Sequence, residues 1–119
     1  MRLPRHLLMI GLLTLLAGCA GPRYEWGSYE PALYQHYRSP GEQAAFTSAL
    51  AESLTRGEAK GKVAPGLYAE YGYQLYEAGR YDEAKAYFQK ESAKWPESRV
   101  LMTRLIELCE QGRRKAGAL

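Results

Sequence analysis

Residues 65–98 read PGLYAEYGYQLYEAGRYDEAKAYFQKESAKWPES, and this 34-residue stretch decides the fold class. Pro65 opens a helical pattern that runs to Ala78 and stops at Gly79, a residue suited to the left-handed position past a helix end. Asp82 then caps a second helix over 83–94, with Lys94 in its last turn where the helix dipole favours a cation. Trp95-Pro96 terminates it, because the residue before proline is pushed out of the helical region. Gly72 and Ala84 are the small residues that let the two helices approach closely, and Tyr68, Leu75, Tyr81 and Phe88 are sized to fill the space between them. The stretch is an antiparallel helical hairpin.

The same pattern extends outward in both directions. Ser98 caps a helix over 99–111 in which Met102, Leu105, Ile106 and Cys109 recur at helical spacing, with Gly112 as its end. Upstream, Ser39-Pro40-Gly41-Glu42 has the form of a capping box and predicts a helix over 40–56 with Phe46, Ala49, Leu50 and Leu54 on one stripe and Gly57 as its end. Residues 57–64 then form a polar, glycine-broken loop. Trp26, Tyr29, Leu33, Tyr34 and Tyr37 predict a first short helix over 29–38, with Pro31 in its opening turn. No run alternates as a strand would. The expected class is all-α, a short antiparallel array of about five helices.

The spacing Tyr68, Tyr71, Gly72, Leu75, Ala84, Phe88, Pro96 resembles the tetratricopeptide repeat, with Gly79 and Tyr81 at its inter-helix turn. It departs from that pattern at Glu91, where the repeat has a small residue, and in the character of Tyr71 and Leu75. One such unit buries too little to stand alone, so the flanking helices or a partner must complete the core.

The first twenty residues form a separate unit. Arg2 and Arg5 precede the apolar run Leu7–Leu16, which is followed by Ala17-Gly18-Cys19. The run is too short to span a bilayer, which needs about 20 apolar residues, and has the form of a secretory signal. Leu16-Ala17-Gly18-Cys19 resembles the bacterial lipobox. That resemblance implies a signal peptide over 1–18 and a cut before Cys19, whose thiol and new amine carry acyl chains. Ala20, in place of an aspartate, implies sorting to the outer membrane on its periplasmic face. The tether is then 19–27, the helical domain 28–112 and a basic tail 113–119.

The whole chain carries 16 basic and 13 acidic side chains, for a formal charge of +3. Removing Arg2 and Arg5 with the signal leaves 14 against 13, too little excess for a nucleic-acid binder. Two Cys and two His exclude a disulfide framework and a Cys/His zinc cluster. With Cys19 acylated, Cys109 reads as a buried apolar thiol or, alternatively, as one half of an intermolecular disulfide. His36 is the single His after the signal; no nucleophile elbow or phosphate loop accompanies it, so the expectation is no enzyme, no catalytic residue, no metal and no cofactor beyond the covalent lipid on Cys19. Arg113-Arg114-Lys115 is expected to be solvated or to meet anionic headgroups.

Tyrosine is the conspicuous residue, ten against two Phe. In the phase of the hairpin, Tyr68 and Tyr71 point to the core, and Ala69, Tyr73 and Tyr76 to the concave face, where Tyr73, Tyr76 and Glu77 would line a groove for a helix or peptide. Aromatic rings with a polar tip suit interfaces, so Tyr73, Tyr76 and Glu77 are the candidate partner-binding residues. The competing reading packs Tyr73 and Tyr76 against the helix over 40–56, or leaves them as plain surface.

Trp26-Gly27-Ser28-Tyr29-Glu30, Leu33-Tyr34, residues 65–72, Tyr87–Glu91, Trp95–Ser98 and Met102–Leu105 together resemble a family of small bacterial lipoproteins of unknown function. In that family Glu91 is no longer odd. The resemblance implies genes beside a CsgG-like secretion lipoprotein and hence an assembly of envelope lipoproteins or channel proteins, in which this chain is an adaptor, as an oligomer or otherwise. The alternative is a structural envelope lipoprotein that binds peptidoglycan or self-associates.

Overall fold

The computed structural model describes residues 21–118. Five α-helices run in order: α1 Tyr29–Arg38, α2 Gln43–Lys60, α3 Leu67–Glu77, α4 Tyr81–Lys94 and α5 Arg99–Gly117, with a 3₁₀ turn Pro96–Ser98 before the last. Among the described residues there is no strand, and the expected all-α array of about five helices is what forms. The signal segment 1–18 and Cys19 lie outside the described residues.

The hairpin α3–α4 follows its sequence closely. Gly79 adopts φ 75°, which lets its own N–H reach Tyr76 O at 2.9 Å and the Arg80 N–H reach Leu75 O at 2.9 Å. These two bonds satisfy the last carbonyls of α3 and turn the chain straight into α4. Arg80, not Asp82, therefore sits at the cap of α4, and Asp82 lies in the first turn with Glu83, where the dipole still favours acid. At Gly72 a side-chain carbon would stand 2.8 Å from the Phe88 ring and 3.2 Å from Ala84 O. Phe88 and Ala84 are fully buried against it.

Other boundaries moved, for local reasons. The capping box at Ser39 does not form: Pro40-Gly41 makes a turn, closed by the Glu42 N–H on Ser39 O at 3.0 Å, and α2 starts after it. Proline and glycine at the centre of a turn favour that outcome. Gly57 does not end α2. The helix continues to Lys60 and closes at Gly61 with φ 63°, while Gly57 lets Val63 pack within 3.1–3.4 Å of where a side chain would be. The segment after it is consequently no plain polar loop, since Val63 and Ala64 are core residues. Gly112 likewise lies inside α5, where the Tyr81 ring occupies its side-chain space at 2.6 Å. Arg113, Arg114 and Lys115, expected as a loose tail, continue α5 to Gly117, and Arg113 donates to Asp82 at 3.4 Å.

The core has two lobes. Phe46, Leu50 and Leu54 of α2 pack with Val63, Ala64, Leu67 and Tyr68, covered by Tyr24, Tyr29 and Ala32. Leu75, Ala84, Phe88, Met102 and Cys109 form the second, between α3, α4 and α5. Tyr71 and Tyr87 touch both lobes and meet edge-on at 4.6 Å. Cys109 is a buried free thiol, as its apolar spacing suggested, and burial pushes its titration up. A buried thiol cannot reach a second chain without unfolding part of α5.

Tyr68 joins the lobes to the surface. Its hydroxyl donates to Glu58 Oε1 at 2.9 Å, and burial together with that carboxylate pushes its titration up to about 12. Burial and the hydrogen bond to Glu70 raise Tyr29 in the same direction. The fold thus holds these phenols neutral more firmly than an unfolded chain, in which tyrosine titrates near about 10. Their contribution is whole below pH about 10 and is lost as pH rises toward about 12. Circular dichroism across pH 9–12 should accordingly show stability falling over that window, and Tyr68→Phe should make the fall shallower; an unchanged slope in the variant would remove Tyr68 from this role.

Candidate functional site

The candidate residues Tyr73, Tyr76 and Glu77 lie on α3, the first helix of the hairpin, and the structure brings them together. The rings of Tyr73 and Tyr76 are stacked at 6.1 Å with 26° between planes, and Tyr76 meets Tyr81 of α4 at 5.5 Å. The Glu77 carboxylate one turn along α3 holds the Tyr73 hydroxyl protonated above its usual range. Tyr73 remains 45% exposed, Tyr76 is half-buried and Glu77 is exposed.

The competing packing against α2 is not what forms. Gln74 faces that helix and accepts from Gln43 Nε2 at 3.1 Å. Tyr76 instead packs on the second core lobe with Tyr81, Leu105 and Ile106. Beside it, Leu108 and Gln111 of α5 complete a shallow depression of about 430 Å³ with Tyr76, Tyr81, Gly112 and Lys115. Leu101 and Leu108 stand one turn to either side of Leu105, hence on one face of α5, and are 59% and 41% exposed. The tyrosine pair on α3 meets the leucine stripe of α5 where Tyr76 and Leu108 line the same depression. This face offers apolar area with hydroxyls at its edge, the composition of a protein-binding patch.

Sequence reasoning missed the leucine half of this face, because Leu101 and Leu108 were outside the Met102, Leu105, Ile106, Cys109 periodicity used to place the helix. It also missed which way α1 turns. The spacing of Leu33, Tyr34 and Tyr37 located α1, yet these residues face solvent, Tyr37 with 85% of its surface exposed. Tyr29, Ala32 and His36 face inward instead, His36 stacked on Phe46 at 4.6 Å.

Glu91, which broke the repeat pattern, has a structural task. It is buried in α4, and its Oε1 accepts the Gly66 N–H at 2.8 Å and the Ser98 hydroxyl at 3.4 Å. A carboxylate at the start of α3 satisfies an otherwise orphaned donor and complements the helix dipole. It ties α3, α4 and the 3₁₀ turn at one end of the hairpin, away from the Tyr73–Tyr76 pair.

Among the described residues the protein is an all-α array that leaves aromatic and leucine side chains in solvent on α1, α3 and α5. Within it, residues 23–105 match the domain of unknown function DUF4810, and the chain belongs to that family. No curated protein and no solved structure matches the chain. Among the described residues no helix is long and apolar enough to cross a membrane.

Proposed function

We propose that this protein is a non-enzymatic adaptor, held by acyl chains on Cys19 at the periplasmic face of the outer membrane. Its tetratricopeptide-like hairpin binds other envelope proteins, in an assembly with a CsgG-like lipoprotein. The observation that carries the reading is the face built from Tyr73, Tyr76, Leu101 and Leu108: large side chains left in water on a chain short of core area. Tyr and Trp dominate binding energy at such faces because they bury much area at small entropic cost and still satisfy their polar tip. Glu77, exposed one turn beyond Tyr73 on α3, sets the polar rim.

The test is Tyr73→Ala together with Tyr76→Ala. Both rings are partly exposed, so the fold should survive by circular dichroism. Recovery of co-purifying envelope proteins from mild detergent should fall by about 30-fold or more, as loss of a binding hot spot of about 2 kcal/mol or greater implies. Unchanged recovery with an intact fold rejects the face, and recovery of this chain alone from the wild type supports the self-associating alternative.

A further inference from the structure

The segment expected to be a loose tether is packed from Pro22 onward. The Glu25 N–H donates to Lys62 O at 2.8 Å, and the Ser53 hydroxyl donates to Trp26 O at 3.0 Å. Lys62 Nζ donates to Pro22 O at 3.3 Å, and Lys60 pairs with Glu25. The Tyr24 ring stands edge-on to Trp95 at 6.0 Å and to Trp26 at 6.4 Å. Chain that makes these bonds is part of the domain and has no freedom to act as a linker.

Only Ala20 and Gly21 then separate Cys19 from Pro22, three Cα steps that reach at most about 11 Å even when fully extended. The headgroup layer of one leaflet is itself about 5–7 Å deep. An acylated Cys19 therefore holds the Pro22 end of the domain at the headgroups. Lys60 is neutralised there by Glu25, whereas among the described residues no carboxylate pairs with Arg23, Lys62, which instead bonds Pro22 O, or Lys94, which stands over Trp95. Lys94 Nζ lies 5.9 Å from the Trp95 ring centre, and Trp26 is 38% exposed. Aromatic rings with a polar edge and basic side chains are what the membrane interface accommodates. Arg113, Arg114 and Lys115 are at the other end of α5, whose 19 residues span about 28 Å.

We propose that the Pro22–Trp26 segment with Lys62, Lys94 and Trp95 is a membrane-seating surface for anionic lipid headgroups, and that it fixes the orientation of the domain. The inference rests on acylation of Cys19. Its consequence is that α5 leads away from the bilayer, so the Tyr76–Leu108 face is presented at a set height, with Leu108 about 14 Å along α5 from Arg99. The partner site is held in the periplasm, clear of the lipid.

The chain has two Trp residues, and both lie at this end, so intrinsic emission reads the surface without a label. The acylated protein is reconstituted in phosphatidylcholine vesicles, with and without one-third phosphatidylglycerol, each with and without brominated acyl chains. Quenching by the brominated lipid is expected, and more of it in the anionic vesicles. Arg23→Ser with Lys94→Ser should shift the seated-to-free ratio in anionic vesicles by about 30-fold, the effect of two charges near such a surface. In a Trp26→Phe, Trp95→Phe background, Leu108→Trp should stay unquenched; circular dichroism verifies the fold of each variant. An acyl mass on Cys19 with unquenched native Trp, or equal quenching of the Leu108→Trp probe, overturns the seating and leaves the anchor standing. Absence of an acyl mass overturns the anchor, and the seating with it.

Discussion

If the proposed anchor holds, replacing Cys19 with alanine is expected to abolish incorporation of a palmitate analogue completely and to leave residues 1–18 on the chain. In the lipobox class that this segment resembles, diacylation of the thiol precedes the cut, so one substitution removes both events. The physical stake is large. Each buried methylene contributes about 0.8 kcal/mol, one chain binds reversibly, and two or more hold firmly. Label, intact mass and membrane fractionation read the result together. Wild-type protein should carry the label, lack residues 1–18 and fractionate with the outer membrane; the variant should do none of these. Label on the variant, or an unprocessed wild type, would contradict the anchor.

Phe88→Ala is expected to be the most damaging single change in the folded domain. Phe88 is completely buried, fills the gap opposite Gly72 and contacts the lobe shared by α3, α4 and α5. Truncating a buried Phe typically costs about 3–5 kcal/mol, a large part of the about 5–15 kcal/mol that holds a domain together. For a domain of this size each kcal/mol moves the melting temperature by about 4–8 °C, so the transition should drop by about 12 °C or more, or vanish. Gly72→Val attacks the same contact from the other side. Its side chain would stand within 3.2 Å of the Ala84 carbonyl as well as inside the Phe88 ring envelope, and crowding of this kind costs about 1–3 kcal/mol. Differential scanning calorimetry separates the two: a normal transition in both variants would mean that the hairpin is not the organising unit.

The hairpin was legible because its determinants are local. Gly79 forces a left-handed turn, Trp95-Pro96 forces a stop, and the small residues Gly72 and Ala84 occur at the one spacing that lets a Phe sit between two helices. What was not legible depended on distant neighbours. Gly57 and Gly112 look like helix ends to a local reading, yet Val63 and the Tyr81 ring pack onto them and keep both helices running. Glu91 looked like a defect until Gly66 and Ser98 were seen at its carboxylate. On the candidate site, the pattern of the hairpin separated Tyr73 and Tyr76 from the core tyrosines, since helical phase alone decides that. It could not find Leu101 and Leu108, because their exposure follows from how α5 is rotated against α3 and α4. Nor could it show that residues 22–27 are pinned, since their partners Ser53, Lys62 and Trp95 lie 27 or more positions away.

The central claim is that the Tyr73–Tyr76 face takes another envelope protein. A photo-cross-linking amino acid placed at Tyr73 in the acylated protein, in intact cells, tests it most directly. One discrete adduct with a different envelope protein is expected, diminished by Tyr76→Ala and absent when the cross-linker replaces exposed Glu52 on α2. No adduct at Tyr73, or an adduct only with a second copy of the same chain, would contradict it.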